Sequence, residues 1–192
     1  MDTPLDTDAR LDKKAFYDWL DQQDGGHYEL EDGKIVRVKV SKGHARIVSH
    51  FIKALGRLLD PTVWDVVAAE FALEVGVQVR FPDVVVEPAG DEKALKCEAA
   101  KLLVEVLSPS SVGRDFNLKL AEYKTLETLD AYIIASQDEP ICWLWRRGTD
   151  AADARAFPDH PQEIHGRDKA IDVPALGISL PLAEIYLGVG DR

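Results

Sequence analysis

The sequence predicts an α/β or α+β sandwich built on a mixed sheet, and three observations carry that expectation. Segment 43–60, "GHARIVSHFIKALGRLLD", repeats its apolar residues at helical spacing. Two β-branched-rich runs, "DVVVE" (83–87) and "KLLVEVLS" (101–108), read as central strands buried on both faces. A second helical stretch at 111–129 is followed by two further strand-like runs. Such alternation of helices and strands belongs to layered architectures that cover a sheet with helices.

Taken in order, residues 1–11 read as a mobile tail and residues 12–192 as a single domain. In 12–23, Phe16, Trp19 and Leu20 share one helical stripe and predict a short first helix. Residues 25–40 read as a hairpin: Tyr28 and Leu30 alternate, Asp32-Gly33 turns the chain, and Ile35, Val36, Val38 and Val40 return. In 43–60, Ile47, Phe51, Leu55 and Leu58 form one face, widened by Val48, Ile52 and Leu59, with Pro61 close behind to end it. Residues 62–81 are strand-like, with breaks near Glu70 and Gly76. The helix at 111–129 places Phe116, Leu120 and Tyr123 on one face. "DAYIIAS" (130–136) and "PICWLWRR" (140–147) predict two strands joined through Gln137, Asp138 and Glu139. A surface loop at 148–162, short strands and a final turn near "LPLAEIYL" (180–187) complete the chain.

The 192 residues suffice for a self-supporting core. With 46% hydrophobic and 30% charged residues, the composition is that of a soluble globular protein. No apolar run approaches the roughly 20 residues of a membrane span, and the acidic start "MDTPLDTDAR" is unlike a signal peptide. Cys97 and Cys142 lie outside any zinc-type spacing and read as reduced thiols of a cytoplasmic protein. The net charge of −11 excludes nucleic-acid binding by overall electrostatics. Such binding needs a local basic patch or bound cations that offset the acids.

Asp83 and Glu105 carry the chemistry. Each sits in a strand that otherwise asks for a dry environment, where an unpaired carboxylate is costly. On neighbouring strands the two would repel, and a divalent cation relieves that. Mg2+ takes oxygen ligands, commonly one or two carboxylates, and the Val106 carbonyl could add another. The bland alternative is a pair of strand-end acids in ordinary salt bridges. Lys119 lies in the following helix, where Asp115, Lys119 and Tyr123 recur at four-residue spacing on one face. Its ammonium could orient and help deprotonate a water or stabilise transition-state charge, or simply pair with Asp115. Glu29 is open to three readings: a third metal ligand, an acid behind the ligands, or a solvent-facing strand residue. His44 either contacts a phosphate or only opens its helix.

"YELEDGKIVRVKVSKGHARIV", "FPDVVVEP", "LLVEVLSPSS" and "RDFNLKLAEYKTLETLDAYIIAS" occur in that order. Together they closely resemble the Uma2 family, a domain of unknown function placed with the PD-(D/E)xK nucleases. The resemblance covers residues 12–147 and extends toward the C-terminal tail. It implies a restriction-endonuclease-like fold, a central mixed sheet flanked by helices, and a Mg2+-dependent phosphodiesterase site, with Mn2+ as a substitute. Asp83 matches the aspartate of the PD motif and Glu105 the acid of the (D/E)xK strand. Glu29 matches the glutamate of the family's Tyr-Glu-Leu segment, and His44 the histidine before the long helix. Two residues after Glu105, where the superfamily has lysine, this chain has Leu107. In the Uma2 group that lysine has moved to the next helix, here Lys119.

The expected activity is therefore metal-assisted hydrolysis of nucleic acid, DNA in the first place, by a protein that cuts as a homodimer. Asp83, Glu105, Val106 and Glu29 would hold the metal, and Lys119 would complete the catalytic set. His44, Arg114, Asp115 and Tyr123 are candidates on the substrate side. Arg80, Lys42, Arg46 and Arg114 could form a local basic rim, and Trp143 with Trp145 an apolar dimer patch or ordinary core. Two rivals stand beside this reading. One is a catalytically silent module that binds nucleic acid or a protein. The other, a carboxylate-pair glycoside hydrolase, is disfavoured because the strands carry no aromatic-rich sugar groove.

Overall fold

In the computed structural model, residues 10–38, 40–68, 70–107, 112–148 and 155–189 are described, with only the backbone for 112–117. The tail expected at 1–11 lies mostly outside them. Leu11, however, donates its N–H to the Gly33 carbonyl at 2.8 Å and packs on an apolar cluster around Phe16.

The elements follow the hydrophobic periods. Helix α1 (Lys13–Leu20) starts at Asp12, whose side chain accepts from the Ala15 N–H, and buries Phe16. The hairpin β1 (His27–Glu31) and β2 (Lys34–Val38) turns through Asp32 and Gly33 at φ 48° and 78°. A two-residue loop with both φ positive matches the twist of the flanking strands. A Cβ on Gly33 would lie 2.8 Å from the Arg10 Cβ. Gly33→Ala is therefore expected to destabilise the protein by about 1–2 kcal/mol, read as a lowered thermal midpoint.

Helix α2 (Lys42–Leu58) is capped by Ser41, whose hydroxyl accepts from the His44 N–H. Three strands, β3 (Trp64–Ala68), β4 (Ala72–Val75) and β5 (Gln78–Arg80), break near Glu70 and at Gly76. Strands β6 (Val84–Pro88), β7 (Lys96–Cys97) and β8 (Leu102–Leu107) follow. Helix α3 (Val112–Tyr123) is shorter than the sequence predicts. It ends in tightened i−3 bonds, Thr125 N to Glu122 O and Leu126 N to Tyr123 O. The Thr125 hydroxyl also donates to the Glu122 carbonyl at 2.6 Å, so the side chain competes with the helix ladder.

Strands β9 (Ala131–Ser136), β10 (Ile141–Arg146) and β11 (Gln162–His165) lead to a C-terminal pair, β12 (Ala170–Val173) and β13 (Ile178–Pro181), and helix α4 (Leu182–Ile185). The chain thus forms a mixed α/β fold with two large sheets. The six-stranded sheet runs β11-β10-β9-β8-β6-β3, with β8 and β9 parallel. The hairpin and β4–β5 form a second sheet, β2-β1-β5-β4-β7, which sequence patterning did not separate from the first.

One face of the six-stranded sheet, including Val84, Val104, Val106 and Ile133, packs on α2 and α4. The other, including Val85, Leu103, Leu107 and Ile134, packs on β4 and on Leu120 and Tyr123 of α3. Trp145 is fully buried in this second core and stacks on Tyr132 at 5.9 Å, with Trp143 packed against it. Of the two readings of these tryptophans, core holds for Trp145, while Trp143 is partly buried against it. Cys97 and Cys142 are buried free thiols, each pushed up to about 12 by burial. Among the described residues no helix is long and apolar enough to cross a membrane.

Candidate active site

Two strand ends create the site. Strands β6 and β8 pair from Val86↔Leu102 to Val84↔Val104, and the next residues are Asp83 and Glu105. There the main-chain ladder stops. Instead of a carbonyl, the Asp83 Oδ2 accepts the Val106 N–H at 2.7 Å. Leu107 turns its carbonyl to β9, accepting from the Gln137 N–H. Main-chain groups alternate edges along a strand, so the Val106 carbonyl faces the Asp83 side. The fork thus leaves two carboxylates and one carbonyl at the same edge.

Helix α2 contributes His44, whose Nε2 lies 3.0 Å from the Asp83 Oδ2. A carboxylate oxygen can only accept, so this nitrogen carries the hydrogen. The serine cap fixes the first helical turn, and with it His44. His44 is thus buried against Asp83, within the acid cluster.

Helix α3 supplies the cation. Lys119 Nζ donates to Glu105 Oε1 at 3.0 Å and to Glu29 Oε1 at 2.9 Å. One turn on, the Tyr123 hydroxyl donates to the same Glu105 oxygen at 2.9 Å. The four-residue spacing read from the sequence thus does bring Lys119 and Tyr123 to one target. Tyr123 is 0% exposed and stands edge-on to Tyr132, so it holds Glu105 and offers no surface to a substrate, contrary to the expected role. Arg114 and Asp115 fall in α3, and their side chains lie outside what the structure describes.

The electrostatics follow from burial. Glu105 is pushed up to about 7, first by burial; Lys119 opposes this, and the Asp83 and Glu29 charges add to it. Burial by itself would lower the Lys119 pKa, but Glu105 and Glu29 hold it above the ordinary lysine value. Lys119 is therefore a standing ammonium. Burial and the Glu105 charge raise Tyr123 well above its usual value, keeping its hydroxyl a donor.

Arg80 departs furthest from expectation. It was a candidate for a solvated basic rim, yet it is 0% exposed. Its Nε and NH2 grip Glu122 at 2.9 and 2.7 Å, while NH1 reaches Glu29 Oε2 at 3.1 Å and Glu31 at 3.2 Å. Burial opposes its charge, but Glu122 and Glu29 more than restore it. Both oxygens of Glu29 are thus engaged by cations, which fits an acid that positions Lys119 better than a metal ligand. Arg46 is tied to the Gly188 carbonyl, leaving Lys42 as the exposed member of the rim among the described residues. Glu31 and Glu122 were missed from sequence. The available signal was Glu31 two residues after Glu29 on one strand face, and Glu122 one turn after Lys119.

A divalent cation fits the donor set. Among the described residues, contacts to Asp83 fall on Oδ2 and those to Glu105 on Oε1, so Oδ1 and Oε2 have no partner there. Four carboxylates, those of Glu105, Glu29, Glu31 and Glu122, meet the two cations Lys119 and Arg80 in these contacts, while Asp83 pairs with His44. The arrangement is not a ready-made cage: among the described residues no three His, Cys, Asp or Glu side chains are grouped to hold a metal. The Lys119 ammonium occupies the position between Glu29 and Glu105.

Comparison with known proteins agrees with this architecture. Among solved structures, the crystal structure of "a putative nuclease belonging to DUF820 from Anabaena variabilis ATCC 29413" matches with a TM-score of 0.71 at 15% identity, over 92% of this chain and 97% of that one. At that identity the likeness speaks for the fold. A search of curated proteins gives no match. The family model described as "Uma2: Putative restriction endonuclease" matches residues 14–183, nearly the whole chain, and the chain belongs to that family.

Proposed function

We propose that the protein is a metal-dependent endonuclease that hydrolyses phosphodiester bonds of nucleic acid, DNA in the first place. The observation that carries this reading is the fork itself. Asp83, just before β6, and Glu105, within β8, lie side by side where the pairing of these two strands ends, with further acids around them. Asp83, Glu105 and the Val106 carbonyl would hold Mg2+, or Mn2+ in its place, an all-oxygen set of the kind Mg2+ favours. When bound, the ion would acidify a water and polarise the scissile phosphate.

The chain's own groups do the rest. His44 and the Val106 N–H fix Asp83, and Tyr123 fixes Glu105. Glu29, held by Arg80, aims Lys119. Glu105 and Glu29 favour the charged form of Lys119. It orients the attacking water or neutralises charge growing on the phosphate.

A second reading keeps the fold and drops the chemistry: a module that binds nucleic acid or a protein. The retreat of Arg80 and Arg46 from the rim favours it, because it leaves few described cations for a polyanion. Incubation with plasmid and single-stranded DNA in Mg2+ or Mn2+ separates the two. Cleavage is expected, abolished by EDTA and by Asp83→Ala. Binding without cleavage in either metal, by a protein that binds the ion, points to the module.

A further inference from the structure

A cavity of about 320 Å3 opens beside the acids, and its apolar walls have no part in the mechanism above. Tyr28, Val38, Val48 and Phe81 supply apolar lining, and Glu29, His44 and Asp83 line it as well. This volume is at the small end for ligand pockets, enough for one ring-sized group. The acids in its lining exclude a phosphate as occupant. A lipid chain would leave their polar atoms without partners. A neutral, flat aromatic group with polar edges meets both demands.

The aromatic wall is held in place. The Tyr28 ring stands edge-on to Trp19 at 5.0 Å. It lies so close to the Gly26 backbone that a Cβ there would sit 2.8 Å from Cε2. On the neighbouring strand, Arg37 lies 5.9 Å from the Tyr28 ring centroid and adds a cation beside the cavity. Nucleic-acid sites that take a base out of its stack combine these parts: aromatic and apolar walls, polar groups for the base edge, and a nearby cation for the backbone.

We infer that the cavity receives an unpaired nucleobase flanking the cleaved phosphate. The substrate is then single-stranded nucleic acid or a duplex with a nucleotide out of the stack. A base still joined to its partner does not fit a space of this size. The inference rests on the nuclease reading, since Asp83, His44 and Glu29 belong both to the cavity and to the proposed centre.

Fluorescence anisotropy tests it, using a labelled single-stranded 12-mer, its blunt duplex and a set of 12-mers with one abasic position each. Ca2+ replaces Mg2+, because it takes oxygen ligands without the strict octahedron. The single strand is expected to bind about tenfold tighter than the duplex, and one abasic position to lower affinity about tenfold. Tyr28→Ala, Phe81→Ala and the cavity-filling Val38→Trp should each erase that abasic penalty while the circular dichroism spectrum stays native. Equal affinity for duplex and single strand, or variants that bind like wild type, would overturn the inference. Duplex cleavage in Mg2+ at wild-type rate by Tyr28→Ala would likewise remove the cavity while leaving the nuclease reading intact. The full binding pattern with no cleavage in Mg2+ or Mn2+ would keep the cavity and remove the nuclease.

Discussion

Arg80→Ala is expected to cost about 3–5 kcal/mol of folding stability, the loss typical of removing one partner from a buried charge cluster. The guanidinium is fully buried and touches three carboxylates, from β1 and α3. Without it Glu29, Glu31 and Glu122 face one another with Lys119 as their remaining cation in these contacts. For a chain of this length the shift in thermal midpoint is about 6–20 °C. Arg80→Lys keeps the charge but not the two-pronged grip on Glu122, so it should fall between the two. A midpoint within 2 °C of wild type for the alanine variant would mean that the guanidinium is solvated and the network is not as described. Circular dichroism melts suffice.

Lys119→Met is expected to lower the single-turnover cleavage rate about 10²–10³-fold, the scale of removing one oriented group that stabilises transition-state charge. The same change should tighten Mg2+ binding, because an ammonium 3.0 Å from Glu105 competes with any second cation for that carboxylate. In the absence of metal the variant should be less stable than wild type, and Mg2+ should recover part of the loss by mass action. Metal titration by calorimetry and rapid-quench cleavage give the two readings. A lysine that merely packs would lose stability without this split. A cleavage rate within twofold of wild type would remove Lys119 from the mechanism.

Much of this was legible before any coordinates. Helix α2 and strands β6, β8, β9 and β10 declare themselves because their burial is one-sided or complete, and such burial writes a period into the sequence. Asp83 and Glu105 stand out because an acid inside an apolar strand needs a reason. Lys119 and Tyr123 follow from helical spacing. Arg80 was not legible. In "VQVRF" it alternates with Val79, which faces the apolar cluster around Phe16, so it reads as solvent-facing. Its face is closed by Glu122, 42 residues away, and by the hairpin acids, and no local pattern records contacts at that range. The end of α3 was misjudged for a related reason. The apolar residues Leu126 and Leu129 continue in near-helical spacing, and only the Thr125 hydroxyl bond shows why the ladder tightens.

The charged groups at the fork come from both sheets: Glu29, Glu31 and Arg80 from one, Asp83 just before β6 and Glu105 within β8 from the other, with α3 bridging them. The six-stranded sheet carries Asp83 and Glu105, whereas the Glu29 and Arg80 that hold Lys119 in place belong to the other. Parting the sheets would pull Glu29 away from Lys119 and Glu105, so under the proposed function cleavage is expected only from fully assembled molecules. On that proposal, a nascent or damaged copy would leave nucleic acid intact.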